Sequence, residues 1–104
     1  MSPIEIGEKM CQMARQGKDG CLKGMRMSGA DLNTTNMSLQ TPMHAAIETN
    51  QIRVIEFLLK SKVDLTKVDI YGNTPPNLAK SLNRVEILDI LDKQFKKLSI
   101  PKTP

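Results

Sequence analysis

The sequence predicts an all-α fold, a stack of about three helical hairpins that ends in a C-terminal capping helix. Apolar residues recur at helical spacing rather than in the strict alternation of a strand. Equivalent residues also return at one fixed interval, since Thr41 pairs with Thr74 in this way and Leu58 with Leu91. Only 3% of the residues are aromatic, so the core must consist of aliphatic side chains, which suits thin layers of stacked helices.

The first helix pair begins with a capping box. In the segment 2–5 (Ser-Pro-Ile-Glu) the serine can cap a helix, the proline suits the first helical position and the glutamate can reach back to the serine N–H. This helix is predicted to run from residue 3 to about residue 16, where Gly17 ends it. A second, less regular helix is predicted over 19–27, which two glycines weaken.

The second pair begins at Thr41, whose hydroxyl can cap a helix with Pro42 at its first position. Asn50 can take the left-handed backbone conformation that ends this helix after about two turns. The apolar residues that follow are predicted to lie on one side of another helix: Ile52, Val54, Ile55, Leu58 and Leu59.

The third pair begins at Thr74, and the two prolines after it fit a first helical turn. Asn77 stands where the second pair has His44, so the third pair is predicted to lack the hydrogen bonds of that histidine. Its outer helix is predicted to continue to about residue 98 and to cap the stack. Residues 99–104 are predicted to form a tail.

Two motifs resemble the ankyrin-repeat family. Residues 41–46 (Thr-Pro-Met-His-Ala-Ala) are similar to its T-P-L-H-x-A signature, and residues 69–73 (Asp-Ile-Tyr-Gly-Asn) to the turn before that signature. The interval from Thr41 to Thr74 also equals the ankyrin period of about 33 residues. The resemblance implies a single ankyrin-repeat domain over residues 1–104, with units of about 2–33, 34–66 and 67–98.

The loop before Thr41 departs from the family pattern. Asn36 stands in the usual place of Asp and Leu39 in the usual place of Gly, so the sequence leaves the geometry of this turn open. Lys62 likewise replaces a Gly after the second hairpin. Gly72 keeps the usual residue in the loop before Thr74, where it can supply a positive φ.

Composition and motifs exclude several function classes. The chain has one histidine and no Ser-His-Asp order, phosphate loop or H-E-x-x-H motif, so no enzyme, metal site, cofactor or small-molecule substrate is predicted. No stretch approaches the ~18 apolar residues of a membrane span, and the N-terminus lacks the pattern of a secretion signal. These features predict an intracellular protein, cytoplasmic or nuclear.

The histidine and the two cysteines are predicted to be structural. The ring of His44 is expected to bond Thr41 or nearby backbone and to connect adjacent loops. By the repeat period, Cys11 aligns with His44 and Cys21 with Val54. Both thiols are therefore predicted to be reduced, buried and inert.

The resemblance implies a non-catalytic protein–protein interaction module that uses loop tips and inner helices. The variable positions of the repeat motif give the predicted partner-binding residues: Met37, Ser38, Gln40, Glu48, Thr49, Ile70, Tyr71, Asn73, Ser81 and Leu82. Three of them are apolar residues at predicted loop tips and could serve as anchors: Met37, Ile70 and Tyr71. The alternative is that some of these side chains pack between the loops.

Two other functions fit the sequence. The order of one helical pair followed by two imperfect repeats is similar to the ankyrin tails of some asparaginases and glutaminases, which would make the chain a detached C-terminal regulatory region of an amidohydrolase. The net charge of +4 and the lysines near the C-terminus could instead serve nucleic-acid binding: Lys93, Lys96, Lys97 and Lys102. A solvated helix end explains the same lysines and is favoured, so no nucleic-acid partner is expected.

Overall fold

The computed structural model describes the backbone of residues 1–99 and the side chains of residues 1–94. This part of the chain contains six α-helices joined by turns and loops. They are α1 (Pro3–Arg15), α2 (Asp19–Met27), α3 (Pro42–Glu48), α4 (Ile52–Lys60), α5 (Pro75–Ser81) and α6 (Val85–Ser99). Residues 1–99 contain no strand. Three consecutive helix pairs form two layers, with α1, α3 and α5 in the inner layer and α2, α4 and α6 in the outer layer. The predicted all-α stack is confirmed.

The three inner helices begin in the same way. The hydroxyl of Ser2 accepts a hydrogen bond from the N–H of Glu5, and the Glu5 carboxylate accepts one from the Ser2 N–H at 2.9 Å. Thr41 and Thr74 each accept a bond at 3.3 Å from the backbone N–H three residues later. Each cap is followed by a proline in the first helical turn, as predicted.

The inner helices also end in the same way, with a residue in the left-handed conformation. Gly17 (φ 72°), Asn50 (φ 58°) and Asn83 (φ 55°) hold equivalent positions of successive repeats. Asparagine tolerates this conformation better than most residues, so the chain turns sharply without glycine in the second and third pairs. Lys62 adopts it as well, with φ 59°, at the end of α4.

The core is aliphatic and runs through all three pairs. Ala45 and Ala46 of α3 are fully buried, and their small side chains allow neighbouring helices to approach closely. The larger side chains of the core come from every pair and include Met10, Leu22, Ile47, Ile55, Leu58, Ile87 and Leu91. Burying apolar surface between successive pairs therefore holds the stack together.

The prediction that Cys21 is buried is wrong, because the thiol is exposed. The equivalent residues Val54 and Ile87 are fully buried. Ile87 belongs to the third pair, whose described neighbour is the pair before it, so this position faces the preceding pair. Among residues 1–99 no helix pair precedes the first, so no described helix pair covers this position of α2. Leu22, the next residue, is the one that α2 buries.

The helix α1 is longer than the inner helix after it, with 13 residues against seven in α3. By the repeat period, the first two turns of α1 align with the residues of the loop before Thr41. Gly7 is buried there, and a Cβ on this residue would overlap the backbone carbonyl of Thr35. Only glycine allows α1 to lie this close to residues 28–41, the loop between the first and second helix pairs, which we call the first interhelical loop.

Candidate functional site

The second interhelical loop, residues 61–74 between the second and third helix pairs, contains a tight turn organised by Asp69. Its buried carboxylate accepts hydrogen bonds from the N–H groups of Tyr71 and Asn73, both at 2.9 Å. Two backbone bonds of 3.0 Å close the turn, and Gly72 supplies a φ of 79°. The hydrogen bonds that close the turn join backbone groups and the Asp69 carboxylate, and none of them uses the side chain of Ile70 or Tyr71.

The first loop adopts the same turn although its sequence departs from the family pattern. The amide oxygen of Asn36 accepts bonds from the N–H groups of Ser38 (2.9 Å) and Gln40 (3.0 Å), as the carboxylate of Asp69 does in the second loop. Leu39 takes the left-handed conformation with φ 58°. The sequence did not predict this turn here, because it offered no reason to expect a branched residue at a position that favours glycine.

Adjacent loops are joined to each other. The N–H of Ile70 donates to the carbonyl of Ser38 at 3.1 Å. His44 is fully buried, and its Nδ1 accepts from the Thr41 N–H at 3.1 Å, which leaves Nε2 to donate to the carbonyl of Asn73 at 2.8 Å. The predicted role of His44 is confirmed: it ties the start of α3 to the following loop.

The two turns project a set of apolar side chains into solvent, which we call the apolar ridge. Met37 and Tyr71 are 79% and 81% exposed, and Ile70 is 53% exposed. Leu39 and Val68 complete the ridge, each with 47% exposure. The predicted alternative, packing between the loops, does not describe the three predicted anchors, since most of each side chain is in solvent. Leu39 and Val68 were not among the predicted residues, although an apolar residue in the place of a turn glycine is itself a signal of an exposed side chain.

Gln40 and Glu48, two of the predicted binding residues, belong to a polar network with Arg15. The Arg15 guanidinium donates to the side-chain oxygen of Gln40 at 2.9 Å and pairs with the Glu48 carboxylate at 2.8 Å. Asn36 also donates to the Gln40 oxygen, at 3.2 Å. The network connects the first inner helix to the second and leaves about a third of the Glu48 side chain exposed.

The other predicted residues differ in their surroundings. Ser38 and Asn73 are half-buried and contribute their carbonyls to the bonds between loops. The hydroxyl of Thr49 donates to the carbonyl of Ala45 at 2.8 Å. Ser81 and Leu82 are exposed at the end of α5. The structure thus brings the loop-tip residues into one ridge and places the helix residues along the ends of the inner layer.

The charges that lead from the end of α4 to the second turn are mainly positive. Lys60 is the last residue of α4, Lys62 and Lys67 follow it, and all three are exposed, together with one acid, Asp64. The hydroxyl and N–H of Thr66 donate to Asp64 at 2.6 and 2.8 Å, and these bonds lower the pKa of the carboxyl group. The segment therefore presents three ammonium groups and one carboxylate that stays ionised.

The described residues bear on metal binding, on thiol chemistry and on the C-terminal lysines. No group of three His, Cys, Asp or Glu side chains among them could hold a metal ion. Burial raises the pKa of the Cys11 thiol to about 12, which keeps it protonated and a poor nucleophile. Of the C-terminal lysines, Lys93 pairs with Asp89 at 3.2 Å. The side chains of Lys96 and Lys97 and all of Lys102 lie outside the described residues.

A family model for ankyrin repeats, in three copies, matches residues 10–99. The chain belongs to the ankyrin-repeat family. Ankyrin repeats generally mediate protein–protein interactions and are typically non-enzymatic. Their usual turn and histidine bonds are those formed here by Asp69 and His44. Within residues 1–99, none of the helices in this ankyrin stack has the length and apolar character needed to cross a bilayer.

Several curated proteins are similar to this ankyrin stack. An L-asparaginase of Dirofilaria immitis is 29% identical over 89% of the chain, and a putative glutaminase 2 of Caenorhabditis elegans is 33% identical over 82%. The NF-kappa-B inhibitor alpha of Gallus gallus is 40% identical over 64% of the chain. The matched regions make up 16%, 14% and 23% of these relatives, so the chain spans less than a quarter of each.

Proposed function

We propose that this ankyrin stack is a non-catalytic protein–protein interaction module whose partner surface is the apolar ridge together with the exposed ends of the inner helices. One observation carries the proposal: Met37, Ile70 and Tyr71 are 79%, 53% and 81% exposed on two turns that are fixed by other groups. Large apolar side chains on a rigid backbone are typical anchors of protein interfaces.

The inner-layer residues extend this surface beyond the loop tips. Glu48, Thr49, Ser81 and Leu82 lie at the ends of α3 and α5, and all are at least partly exposed. Glu48, Thr49 and Ser81 would surround the anchors with polar groups, as the rim of an interface does. Gln40 would act mainly by holding Arg15 and Asn36, because its side-chain oxygen already accepts two hydrogen bonds.

The test compares two double variants of the full chain. Ile70→Ser with Tyr71→Ser removes two ridge anchors. The control, Met27→Ser with Val85→Ser, removes two other largely exposed apolar side chains, from the outer layer, where Met27 is 76% and Val85 68% exposed. Binding to a partner recovered by pull-down is measured by calorimetry. We expect the ridge variant to weaken binding by at least ~2 kcal/mol, and the control to bind as the parent does.

Thermal melting separates binding from stability. Because neither ridge side chain takes part in the bonds that close the turn, the ridge variant should melt within a few degrees of the parent. A ridge variant that melts much lower, while the fraction still folded binds the partner unchanged, would show that these side chains stabilise the loops and would contradict the proposal.

A second function is favoured by two of the relatives. The asparaginase and glutaminase matches cover 89% and 82% of this chain, which supports a role as a C-terminal regulatory ankyrin region of an amidohydrolase. Sequencing the full-length transcript tests it, since an upstream amidohydrolase reading frame in the same message is expected. A stop codon directly before Met1 would remove this function. With either function we propose an intracellular location, cytoplasmic or nuclear.

A further inference from the structure

The two sides of a helix pair are distinguished by the residues that they bury. The third pair has a described neighbour only on its preceding side, and its buried core residues are Leu78, Ala79, Ile87 and Leu91. The first pair has a described neighbour only on its following side, and its buried core residues are Met10, Cys11, Ala14 and Leu22. The two sets share no position of the repeat. The first set therefore marks the side that faces the preceding pair, and the second set marks the side that faces the following pair.

The preceding side of the first pair is open in the structure. Its residues at the repeat positions of the third-pair core are Gln12, Met13, Cys21 and Met25. We call these four residues, together with Lys18, the entry face. Gln12 and Cys21 are exposed, and Met13 and Met25 are half-buried. In the second pair the same four positions hold residues that are fully buried, namely Ala45, Ala46, Val54 and Leu58. A surface that is covered in both later pairs is thus left accessible in the first.

Lys18 holds the repeat position from which each later pair caps the inner helix before it. Gln51 donates to the carbonyl of Arg15 at 2.8 Å, and Arg84 donates to the carbonyl of Glu48 at 2.6 Å. The backbone of Lys18 (φ −92°, ψ 64°) is close to that of Gln51 (φ −89°, ψ 85°), so the two side chains leave the chain in similar directions. Lys18 is exposed. Its ammonium group can only donate hydrogen bonds, and the helix dipole favours a cation beside a helix C-terminus. The entry face therefore carries a donor suited to the terminal carbonyls of another helix.

The exposed end of the third pair disfavours a second copy of this chain as the occupant of the entry face. Lys80 is exposed there, at the position where the second pair buries Ile47. Stacking two copies end to end would bring Lys80 into an apolar contact beside another cation, Lys18. The acid next to Lys18 in the sequence, Asp19, already lies 3.7 Å from the Arg53 guanidinium of α4. Because burying an unpaired ammonium group is costly, a helix of a different protein fits this face better.

We propose that the entry face is a second binding surface, which binds the C-terminal end of an α-helix of a partner protein. The terminal carbonyls of that helix accept hydrogen bonds from Lys18, and its small or apolar side chains cover Met13, Cys21 and Met25. Methionine side chains are unbranched and adaptable, which suits them to this contact. The inference goes beyond the proposed function, because the entry face shares no residue with the apolar ridge or with the other predicted partner-binding residues.

The test uses two display libraries of designed helical hairpins, with the full chain as bait. One library varies the last turn of a helix, and the other, its matched control, varies the first turn. Clones are sorted by whether they slow the alkylation of the exposed Cys21 thiol by iodoacetamide, and the buried Cys11 thiol serves as the internal reference. We expect the library of C-terminal turns alone to yield clones that slow the reaction of Cys21, by about tenfold or more, because they cover the thiol.

The affinity of these clones is then compared among variants of the chain. It should fall about tenfold or more with Lys18→Glu, because a carboxylate repels the carbonyls at a helix C-terminus. Lys23→Glu is the matched control, since it makes the same change of charge within α2 at the exposed repeat position of Glu56, and it should leave the affinity unchanged. The double variant Ile70→Ser with Tyr71→Ser should also leave it unchanged, since the apolar ridge is a separate surface.

Each outcome of the selection decides the proposal. If no clone slows the alkylation of Cys21, the entry face is not a binding surface, whereas clones lost with the ridge variant would still support the proposed function. Clones with N-terminal turns that protect Cys21, or protecting clones that are indifferent to Lys18→Glu, would overturn the proposed contact with a helix C-terminus. Sedimentation equilibrium of the chain alone tests the remaining occupant. Self-association that protects Cys21 would replace the partner helix with a second copy of this chain.

Discussion

Gly7 determines how closely α1 lies to the first interhelical loop. Replacing it with Ala would place a methyl group on the backbone carbonyl of Thr35, and backbone atoms cannot move aside as the end of a side chain can. We expect Gly7→Ala to lower the free energy of unfolding by about 1–3 kcal/mol, as overpacking of a core typically does. Urea denaturation followed by circular dichroism measures the change.

Gly24 provides the matched control for this substitution. It also lies within a helix, but apart from its two chain neighbours and the backbone of its own helix no atom lies within 4 Å of the position that its Cβ would take. Gly24→Ala should raise the free energy of unfolding by about 0.5–1 kcal/mol, because alanine loses less backbone entropy in a helix. Equal effects of the two substitutions would mean that α1 can move away from Thr35 at little cost.

Individual residues were predictable where their role is local. The caps of Ser2 and Thr41 follow from the few residues after them, and so does the turn made by Asp69. The exposure of Cys21 could not be read in this way, because it depends on which pair lies next to it in the stack. The left-handed Leu39 was also missed, since the bonds made by Asn36 outweigh the intrinsic preference of leucine.

At the scale of helices, each later pair supplies a side chain that caps the C-terminus of the inner helix in the pair before it. The side chain of Gln51 donates to the carbonyl of Arg15 at 2.8 Å. Arg84 holds the equivalent position and donates to the carbonyls of Ile47 and Glu48 at 3.2 and 2.6 Å. Carbonyls at a helix C-terminus lack their usual partner within the helix, so these side chains satisfy the carbonyls of Arg15 and Glu48. The Ile47 carbonyl also accepts a bond from the Asn50 N–H at 3.2 Å.

The packing of α4 is tested by truncating Leu58. This side chain is fully buried in the core, so Leu58→Ala should lower the free energy of unfolding by about 2–5 kcal/mol. Leu82→Ala serves as the control, because its side chain is 40% exposed and the change should cost about 0.5 kcal/mol or less. A loss below about 1 kcal/mol for Leu58→Ala would contradict the core position of α4.

At the scale of the whole molecule, the stack is stabilised unevenly. The helices α2 and α4 have nine residues each, but α2 buries only Leu22 whereas α4 buries four residues. The reason is that α4 has a described helix pair on each side and α2 on one. Amide hydrogen exchange measured by NMR should therefore be slowest in α3 and α4 and clearly faster in α2.

The exchange experiment has an internal reference. Because α2 and α4 are equally long, end fraying affects the same fraction of each helix. If the amides of α2 exchange as slowly as those of α4, the stack opens only as a whole, and the one-sided packing of the first pair has no energetic consequence.

The architecture was predictable because it repeats. The regular period and the caps placed the helices in order, and the family model later matched the same region. The site was predictable in part. The repeat position identified Met37, Ile70 and Tyr71 as loop-tip residues. The network of Arg15, Gln40 and Glu48 was not predicted, because a single sequence does not show which charged side chains meet across two inner helices.

The hydrogen bonds from Gln51 and Arg84 to the end of the preceding inner helix have a consequence for synthesis on the ribosome. The chain emerges from its N-terminus, so Arg15 leaves the exit tunnel 36 residues before the side chain that will satisfy its carbonyl, and Glu48 waits equally long for Arg84. Each newly made inner helix thus lacks these hydrogen bonds at its C-terminus until the capping side chain of the next pair has emerged. A ribosome that pauses between two pairs would expose an uncapped helix end to chaperones and proteases, and both ends can be capped only after Arg84 has left the tunnel.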